Sequence, residues 1–165
     1  MDICKEIFEQ KTRDYGTAWR ILRLPSITDQ IMIKAQRIRT IEQTAQQRIA
    51  EGIDVELIGI INYAVIALIQ TALPDDAAVE MSYEAVSPFY EEAIKTTREL
   101  KDAKNSDYGE AWRDMRLSSL VDIILMRLLR IKRIEDNEGK TLISEGVTTN
   151  YQDIINYAAF ALIKL

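Results

Sequence analysis

Apolar residues recur along this chain with the period of amphipathic α-helices. Between residues 2 and 13, Ile3, Ile7 and Phe8 share one side, while charged residues occupy the others. A segment of the same character runs from 88 to 104. No stretch of the sequence shows the alternation that is typical of a half-buried β-strand. The pattern therefore predicts an all-α fold.

The helical segments form two copies of one unit. The sequence Asp-Tyr-Gly-x-Ala-Trp-Arg occurs at 14–20 and again at 107–113. Further along, Ile-Ile-Asn-Tyr-Ala occurs at 60–64 and again at 154–158, after a slip of one residue in the register. We therefore predict a tandem duplication of a three-helix unit, packed into one helical bundle.

The duplication divides the chain into three parts. The first repeat spans residues 1–73, and the second repeat spans residues 88–165. The segment between them, residues 74–87, is acidic and is bracketed by Pro74 and Pro88. Such a segment is typical of a connector, so we expect a linker with one or two helical turns.

Polar side chains predict where the longer helices begin. Ser-x-x-Asp occurs at 26–29 and again at 119–122, and both are typical of capping boxes. The hydroxyl would accept hydrogen bonds from first-turn amides, and the acid would lie near the positive end of the helix. Asp54 and either Thr148 or Thr149 are the candidate caps of the third helix in each unit.

Glycines predict where these helices end. The long second helix of the first unit should run to about residue 50, where Gly52 supplies a left-handed stop. In the second unit the corresponding helix should break near residues 137–139, which are turn-like. The third helix of the first unit carries an apolar run at 57–69, so we expect it in the middle of the bundle.

Charge and missing residue types exclude several functions. The chain has 26 acidic and 21 basic residues and a net charge of -5, which argues against broad binding to nucleic acid. It has no histidine, which removes imidazole catalysis and histidine-ligated zinc. Cys4 is its one cysteine, and the N-terminus lacks an apolar signal core. The longest apolar run is shorter than the roughly 20 residues that span a bilayer. We expect a cytoplasmic protein without a membrane partner.

Two cations lie where the helical projection places apolar side chains. Lys34 falls inside the apolar stripe of the first unit's long helix, and Arg127 has the matching position in the second unit. The apolar members of that stripe are Ile27, Ile31, Ile38, Ile41, Ala45 and Ile49. Arg37 and Arg130 follow one turn later, at the edge of the stripe. A buried cation is costly unless it is paired or reaches a cavity. These four residues therefore either form ion pairs that hold the bundle or bind a phosphate group.

Duplicated carboxylates are candidate partners for these cations. Glu6-x-x-Glu9 in the first helix corresponds to Glu99-x-x-Asp102, and the spacing puts both carboxylates of a pair on one helix face. Carboxylates on helices of a bundle can hold Mg²⁺ and, through it, phosphate oxygens. A solvated helix face is the alternative. No cofactor follows with certainty, and Mg²⁺ is the candidate.

The third helix of each unit carries polar residues in apolar surroundings. Asn62 and Asn156 occupy equivalent positions, and they either bond to a neighbouring helix or face a ligand. Asp153 lies three residues before Asn156 on the same face, which makes it a candidate metal ligand. Gly59 replaces this acid in the first unit. If that face is a site, the second unit should retain more of it.

The repeated motif at 14–20 and 107–113 supplies aromatic and cationic candidates. Tyr15 and Tyr108 could stack on a base or simply pack. Arg113 could clamp a phosphate or pair with a nearby acid. Trp19 and Trp112 are expected to anchor the core.

These motifs together resemble the nucleotide modification associated domain 1 family of bacterial and phage proteins. The resemblance depends on Asp-Tyr-Gly-x-Ala-Trp-Arg, on the Lys/Arg-x-x-Arg-Ile helix and on Ile-Ile-Asn-Tyr-Ala, and it covers both repeats. It implies an association with nucleotide or nucleic-acid modification. Phage-type members of that family tend to carry an acid three residues before the asparagine, which Asp153 matches and Gly59 does not.

Two functions of different classes are compatible with the sequence. In the first, a cavity of the bundle binds or processes a nucleotide through its phosphate, whether or not the protein is an enzyme. In the second, the chain is a non-catalytic interaction module, and its repeated charges are structural. The helix from Leu120 to Leu129 is apolar on more faces than its counterpart in the first unit. It should therefore be deeply buried or form a homodimer surface.

Overall fold

The computed structural model describes residues 1–46, 50–143 and 145–165 of the chain. Within them the chain forms six α-helices and two short 3₁₀ turns, and the all-α prediction is confirmed. The helices are α1 Asp2–Tyr15, α2 Leu24–Thr44, α3 Ile53–Ala72, α4 Tyr83–Tyr108, α5 Leu117–Asp136 and α6 Val147–Lys164. The 3₁₀ turns, Ala18–Ile21 and Ala111–Asp114, precede α2 and α5.

The two units pack about an approximate two-fold axis between α2 and α5. Arg39 pairs with Asp122 at 3.7 Å, and Lys132 pairs with Asp29 at 2.5 Å. Arg39 and Lys132 hold equivalent positions in the two units, as do Asp29 and Asp122. One contact is therefore made twice with the units exchanged, which is the signature of an isologous interface.

Helices α3 and α6 form the centre of the bundle. They pack against each other, and α2 and α5 cover them on the outside. In α3 the fully buried residues are Leu57, Ile60, Ile61, Ala64, Val65 and Ala67. By length and composition α3 could cross a membrane, but a buried core helix has the same composition. The expected central position of this helix is confirmed by its burial.

Helix α4 begins earlier than the sequence predicted. It starts at Tyr83, where Ser82 caps it by accepting a hydrogen bond from the Ala85 amide at 3.2 Å, and Pro88 lies inside it. Its first half packs on α1, where the rings of Phe8 and Tyr90 are 4.6 Å apart. The last residues of the predicted linker therefore belong to a helix that contacts both units.

The predicted capping boxes are wrong. Helices α2 and α5 begin at Leu24 and Leu117, so the serines of both sequences lie within the first helical turn. The N-cap residues are Arg23 and Arg116, and neither makes a side-chain capping bond. Pro25 fits this start, because a proline is accepted in the first turn, where amides have no partner.

The end of the long helix agrees with the prediction in the second unit and differs from it in the first. Helix α5 ends at Asp136, close to the predicted break, and Gly139 takes a φ of 78°. Helix α2 ends at Thr44, earlier than expected, because Ala45 takes the left-handed conformation. Ile49, the last member of the predicted stripe, lies outside the described residues.

Glycines replace the predicted caps of the third helices. Gly52 and Gly146 are the N-cap residues of α3 and α6, and both have extended backbone conformations. The prediction of a left-handed stop at Gly52 is therefore wrong. Asp54, Thr148 and Thr149 lie inside their helices and do not cap them.

Candidate functional site

The first unit contains a cavity of about 520 Å³ between α1, the first 3₁₀ turn, α2 and α3. Its walls are mostly apolar and aromatic. Charged side chains reach it from α1, from α2 and from the segment that precedes α3. These charged residues are Lys11, Lys34 and Glu51. The size and the mixed lining are typical of a small-molecule site.

The repeated motif shapes one end of this cavity. Gly16 has a φ of 61° and Gly109 a φ of 63°, a conformation that favours glycine. After the first glycine, the Thr17 hydroxyl donates to the Val79 carbonyl at 2.7 Å and accepts from the Met81 amide at 2.8 Å. The motif of the first unit therefore holds the linker in place.

The arginine of the motif makes side-chain contacts within the protein in both units. Arg20 donates to the Ala77 carbonyl at 3.0 Å and also bonds to the Gln70 side chain. Arg113, the candidate phosphate clamp, pairs with Glu110 at 2.5 Å and lies over the Trp112 ring at 4.6 Å. The structure therefore places Arg113 at the surface of the second unit, away from the first-unit cavity.

Lys34 and Arg37 share one buried carboxylate. Lys34 Nζ lies 3.1 Å from Glu56 Oε2, and Arg37 Nη1 lies 2.5 Å from Glu56 Oε1. Glu56 is 5% exposed, so this triad is largely shielded from water. Arg37 also donates to the Glu51 carbonyl at 2.9 Å. The pair formed by Lys34 is thus made with an acid of α3, not with the acids of α1 that the sequence suggested.

In the second unit the cation equivalent to Lys34 pairs with a different acid. Arg127 Nη2 lies 2.8 Å from Asp153 Oδ2, and Lys104 Nζ lies 2.6 Å from Asp153 Oδ1. Arg127 also donates to Asn150 Oδ1 at 3.3 Å. Asp153 is 2% exposed and enclosed by these two cations. The acid that the sequence favoured as a metal ligand is therefore occupied by ion pairs.

Comparing the units shows that the carboxylate has moved by one helical turn. Glu56 in the first unit stands where the second has Asn150, and Gly59 stands where the second has Asp153. A side chain at Gly59 would begin 2.8 Å from Lys34 Cε, so the lysine chain lies across the vacated position. Without an acid there, Lys11, the counterpart of Lys104, has no ion-pair partner among the described residues.

Sequence reasoning missed three of these residues, namely Glu56, Lys11 and Lys104. A signal for Glu56 was present in the alignment of the two units. Glu56 and Gly59 of the first unit align with Asn150 and Asp153 of the second. Each unit therefore keeps one acid on this helix face, at positions one helical turn apart. The helical projection of α2 alone could not indicate these residues, because they come from α1, α3 and α4.

The duplicated asparagines hold helices together. Asn62 Nδ2 donates to the Cys4 carbonyl at 2.9 Å, and Asn156 Nδ2 donates to the Thr97 carbonyl at 3.3 Å. Cys4 and Thr97 are themselves equivalent positions. Asn62 also accepts from the Tyr90 hydroxyl at 3.0 Å, and burial raises the pKa of that phenol. The bond to a neighbouring helix is thus made in both units.

The predicted carboxylate pairs on α1 and α4 face outward. Glu9 pairs with Arg13 at 2.9 Å, and Asp102 pairs with Lys101 at 2.8 Å. Glu6 accepts a weak hydrogen bond from an exposed glutamine, and Glu99 is exposed. In the part of the chain that the structure describes, no three or more Asp, Glu or Cys side chains are grouped to hold a metal ion. The structure therefore does not bring the proposed Mg²⁺ ligands together.

The aromatic candidates have different positions in the two units. Tyr15 lines the first-unit cavity although it is 72% exposed, whereas Tyr108 is 79% exposed and lies outside that cavity. Trp19 forms part of the cavity wall, and its indole N–H is buried without a hydrogen-bond partner. Trp112 instead stacks on Phe160 with ring centroids 4.4 Å apart.

The fold and the cavity define an all-α duplicated bundle with a cationic pocket in its first unit. A family model described as nucleotide modification associated domain 1 matches the chain twice, over residues 11–71 and 104–165. The chain therefore belongs to this family and carries two copies of its domain, as the resemblance predicted. Comparisons with curated proteins and with solved structures gave no significant match.

Proposed function

We propose that the first unit binds a nucleotide, with phosphate oxygens between Lys11 and Lys34. One observation carries the proposal: the second unit places the Asp153 carboxylate between the equivalent cations, and the first unit has Gly59 there. A phosphate oxygen of the ligand would take the place of the missing carboxylate oxygen. Charge-assisted hydrogen bonds from lysines are a common way to hold phosphate.

The walls of the cavity support an aromatic ligand rather than a free inorganic anion. Trp19, Tyr15 and Tyr63 line it together with aliphatic side chains of α1 and α3. Aromatic faces of this kind stack on bases. The family description, which refers to nucleotide modification, fits the same ligand class. The proposal is one of binding, and no residue is assigned a catalytic step.

The electrostatic balance of the cavity also favours an anion. Glu56 is shared by Lys34 and Arg37, so one carboxylate serves two cations. Lys11 adds a further positive charge without an acidic partner, and Glu51 supplies the opposing charge at the cavity edge. Lys11 and Glu51 are both exposed, whereas the triad of Lys34, Arg37 and Glu56 is largely buried and carries two cations for one carboxylate, which favours an anion beside it.

Calorimetric titration with nucleoside triphosphates, with and without Mg²⁺, tests this function. Wild-type protein should bind at least one of them, and Lys11→Gln should weaken that binding about tenfold because a charge-assisted bond is lost. Arg130→Gln is the matched control, since Arg130 is exposed and lies outside the cavity. Absence of binding at millimolar concentration, or equal losses in both variants, would refute the proposal.

A further inference from the structure

The outer face of α5 carries a stripe that the fold does not use. Met126, Leu129, Arg130 and Arg133 follow one another at the spacing of one helix face. Met126 is 41% exposed and Leu129 is 57% exposed. These side chains line a groove of about 660 Å³ between α5, the loop after it and the start of α6.

The loop after α5 extends this apolar surface. Leu142 and Ile143 are fully exposed and line the same groove. Exposed aliphatic side chains gathered at a groove are typical of an interaction site, whereas single ones are ordinary. The second unit thus presents an apolar surface bordered by arginines.

The first unit shows that the fold does not need two of these residues. Its residues at the positions of Leu129 and Arg133 are Gln36 and Thr40, both of which are exposed. At the other two positions the first unit keeps the same character, with Ile33, which is 59% exposed, and Arg37. Leu129 and Arg133, the two residues that distinguish this face in the second unit, are therefore not required for the packing of the helix.

Charge decides which partner suits the groove. Among the described residues, neither Arg130 nor Arg133 has an ion-pair partner, and Glu145 is the one acid lining the groove. A second copy of this chain placed symmetrically on α5 would bring these arginines towards their own counterparts, which is unfavourable. An acidic partner would instead pair with them.

We propose that this groove binds an acidic amphipathic helix of another protein. Aliphatic side chains at the spacing i, i+3 or i+4 and i+7 would contact Met126, Leu129 and Leu142. Glutamates or aspartates beside them would pair with Arg130 and Arg133. The groove lies in the second unit and is separate from the nucleotide cavity.

A fluorescein-labelled amphipathic peptide of about 18 residues, long enough to form a helix, tests this proposal. It carries leucines on one face and glutamates beside them, and a second peptide carries lysines in place of the glutamates. In fluorescence anisotropy the glutamate peptide should bind and the lysine peptide should bind at least about tenfold more weakly.

Matched variants locate the binding. Leu129→Gln with Arg133→Thr installs the residues of the first unit and should reduce binding of the glutamate peptide about tenfold. Thr40→Ala, on the equivalent face of the first unit, should leave it unchanged. Equal binding of both peptides, absence of binding at millimolar concentration, or no effect of the double variant would overturn the proposal. So would a dimer in sedimentation analysis that the double variant dissociates, because the occupant would then be a second copy.

Discussion

At the scale of single residues, the two units differ in where they place one carboxylate. Glu56 serves two cations in the first unit, and Asp153 serves two cations in the second. Each acid is buried and each is surrounded by positive charge. Removing one partner of such a group leaves an uncompensated buried charge, which costs more than the group contributes as a whole.

Asp153→Asn should therefore destabilise the protein by about 3 kcal/mol, since Arg127, whose side chain is only 15% exposed, would lose its acid. Asp102→Asn removes an acid from an exposed pair with Lys101 and should cost less than about 1 kcal/mol. Urea denaturation compares the free energies of unfolding of the two variants. Equal losses would show that Asp153 is not the buried partner described above.

A further carboxyl, that of Glu135, lies at the interface between the units, and its protonation should affect the stability of the protein. Glu135 accepts from the Thr28 hydroxyl at 2.9 Å, and Thr28 also bonds to the Tyr151 hydroxyl at 2.7 Å. Burial raises the pKa of the Glu135 carboxyl above its ordinary value of 4.5, although these two hydroxyls oppose the shift. The folded state thus binds this proton more tightly than the unfolded state does.

Because of this tighter binding, Glu135 should lower the free energy of unfolding as pH rises from about 4.5 through its folded-state pKa. Glu135→Gln keeps an acceptor but does not titrate. Its stability relative to wild type should increase over that range and then level off. Glu138→Gln, at an exposed position, should follow the wild-type curve. A constant difference between Glu135→Gln and wild type across pH would contradict the account.

The sequence predicted the buried-stripe cations better than the acids that pair with them. Lys34 and Arg127 stood out because each interrupts an apolar stripe whose period is readable along a single helix. Glu56 did not stand out, because its burial results from α2 packing on α3. Asp153 is readable from the sequence, but its position three residues before Asn156 suggests a metal ligand and not an ion pair.

At the scale of helices, the starts were less predictable than the middles. Apolar periodicity located each helix, but the Ser-x-x-Asp sequences at 26–29 and 119–122 suggested caps that are not used. The amphipathic pattern that corresponds to the first helix placed the start of helix α4 near residue 88. The preceding residues were already helical, since Ser82 caps the helix.

This difference in capping is measurable. Ser82→Ala should lower the free energy of unfolding by about 1 kcal/mol, because the Ala85 amide loses its acceptor. Ser26→Ala should change it by less than about 0.5 kcal/mol, since Ser26 makes no capping bond. Thermal or urea unfolding followed by circular dichroism distinguishes them. A larger loss of stability in Ser26→Ala than in Ser82→Ala would show that Ser26 caps its helix, against the structure.

At the scale of the whole molecule, the two units share one core. Helix α3 packs on α6, and α4 contacts helices of both units. Each unit alone would leave a strongly apolar central helix exposed to water. The duplication was readable from the sequence, but this sharing was not, because nothing in one repeat indicates which face meets the other.

Unfolding should therefore occur in one transition that includes both units. Far-ultraviolet circular dichroism and fluorescence of Trp19 and Trp112, one in each unit, should report coincident midpoints in urea. Residues 1–73 expressed alone should lack a cooperative transition. Two separate transitions, each reported by one tryptophan, would show that the units are independent domains.

The proposed nucleotide binding depends on the cationic cavity of the first unit. Its direct test is to give Gly59 the acid of the second unit, by Gly59→Asp, and to titrate a nucleoside triphosphate that wild type binds. Lys34 lies across this position as a flexible chain and can move aside. Gly146→Asp adds the same charge at an open position.

Isothermal titration calorimetry should show that Gly59→Asp weakens nucleotide binding at least about tenfold, because the new carboxylate takes the place of the phosphate oxygen. Gly146→Asp should bind as wild type does. Unchanged affinity in a folded Gly59→Asp variant would contradict the account, since the lysines would then not be the phosphate site.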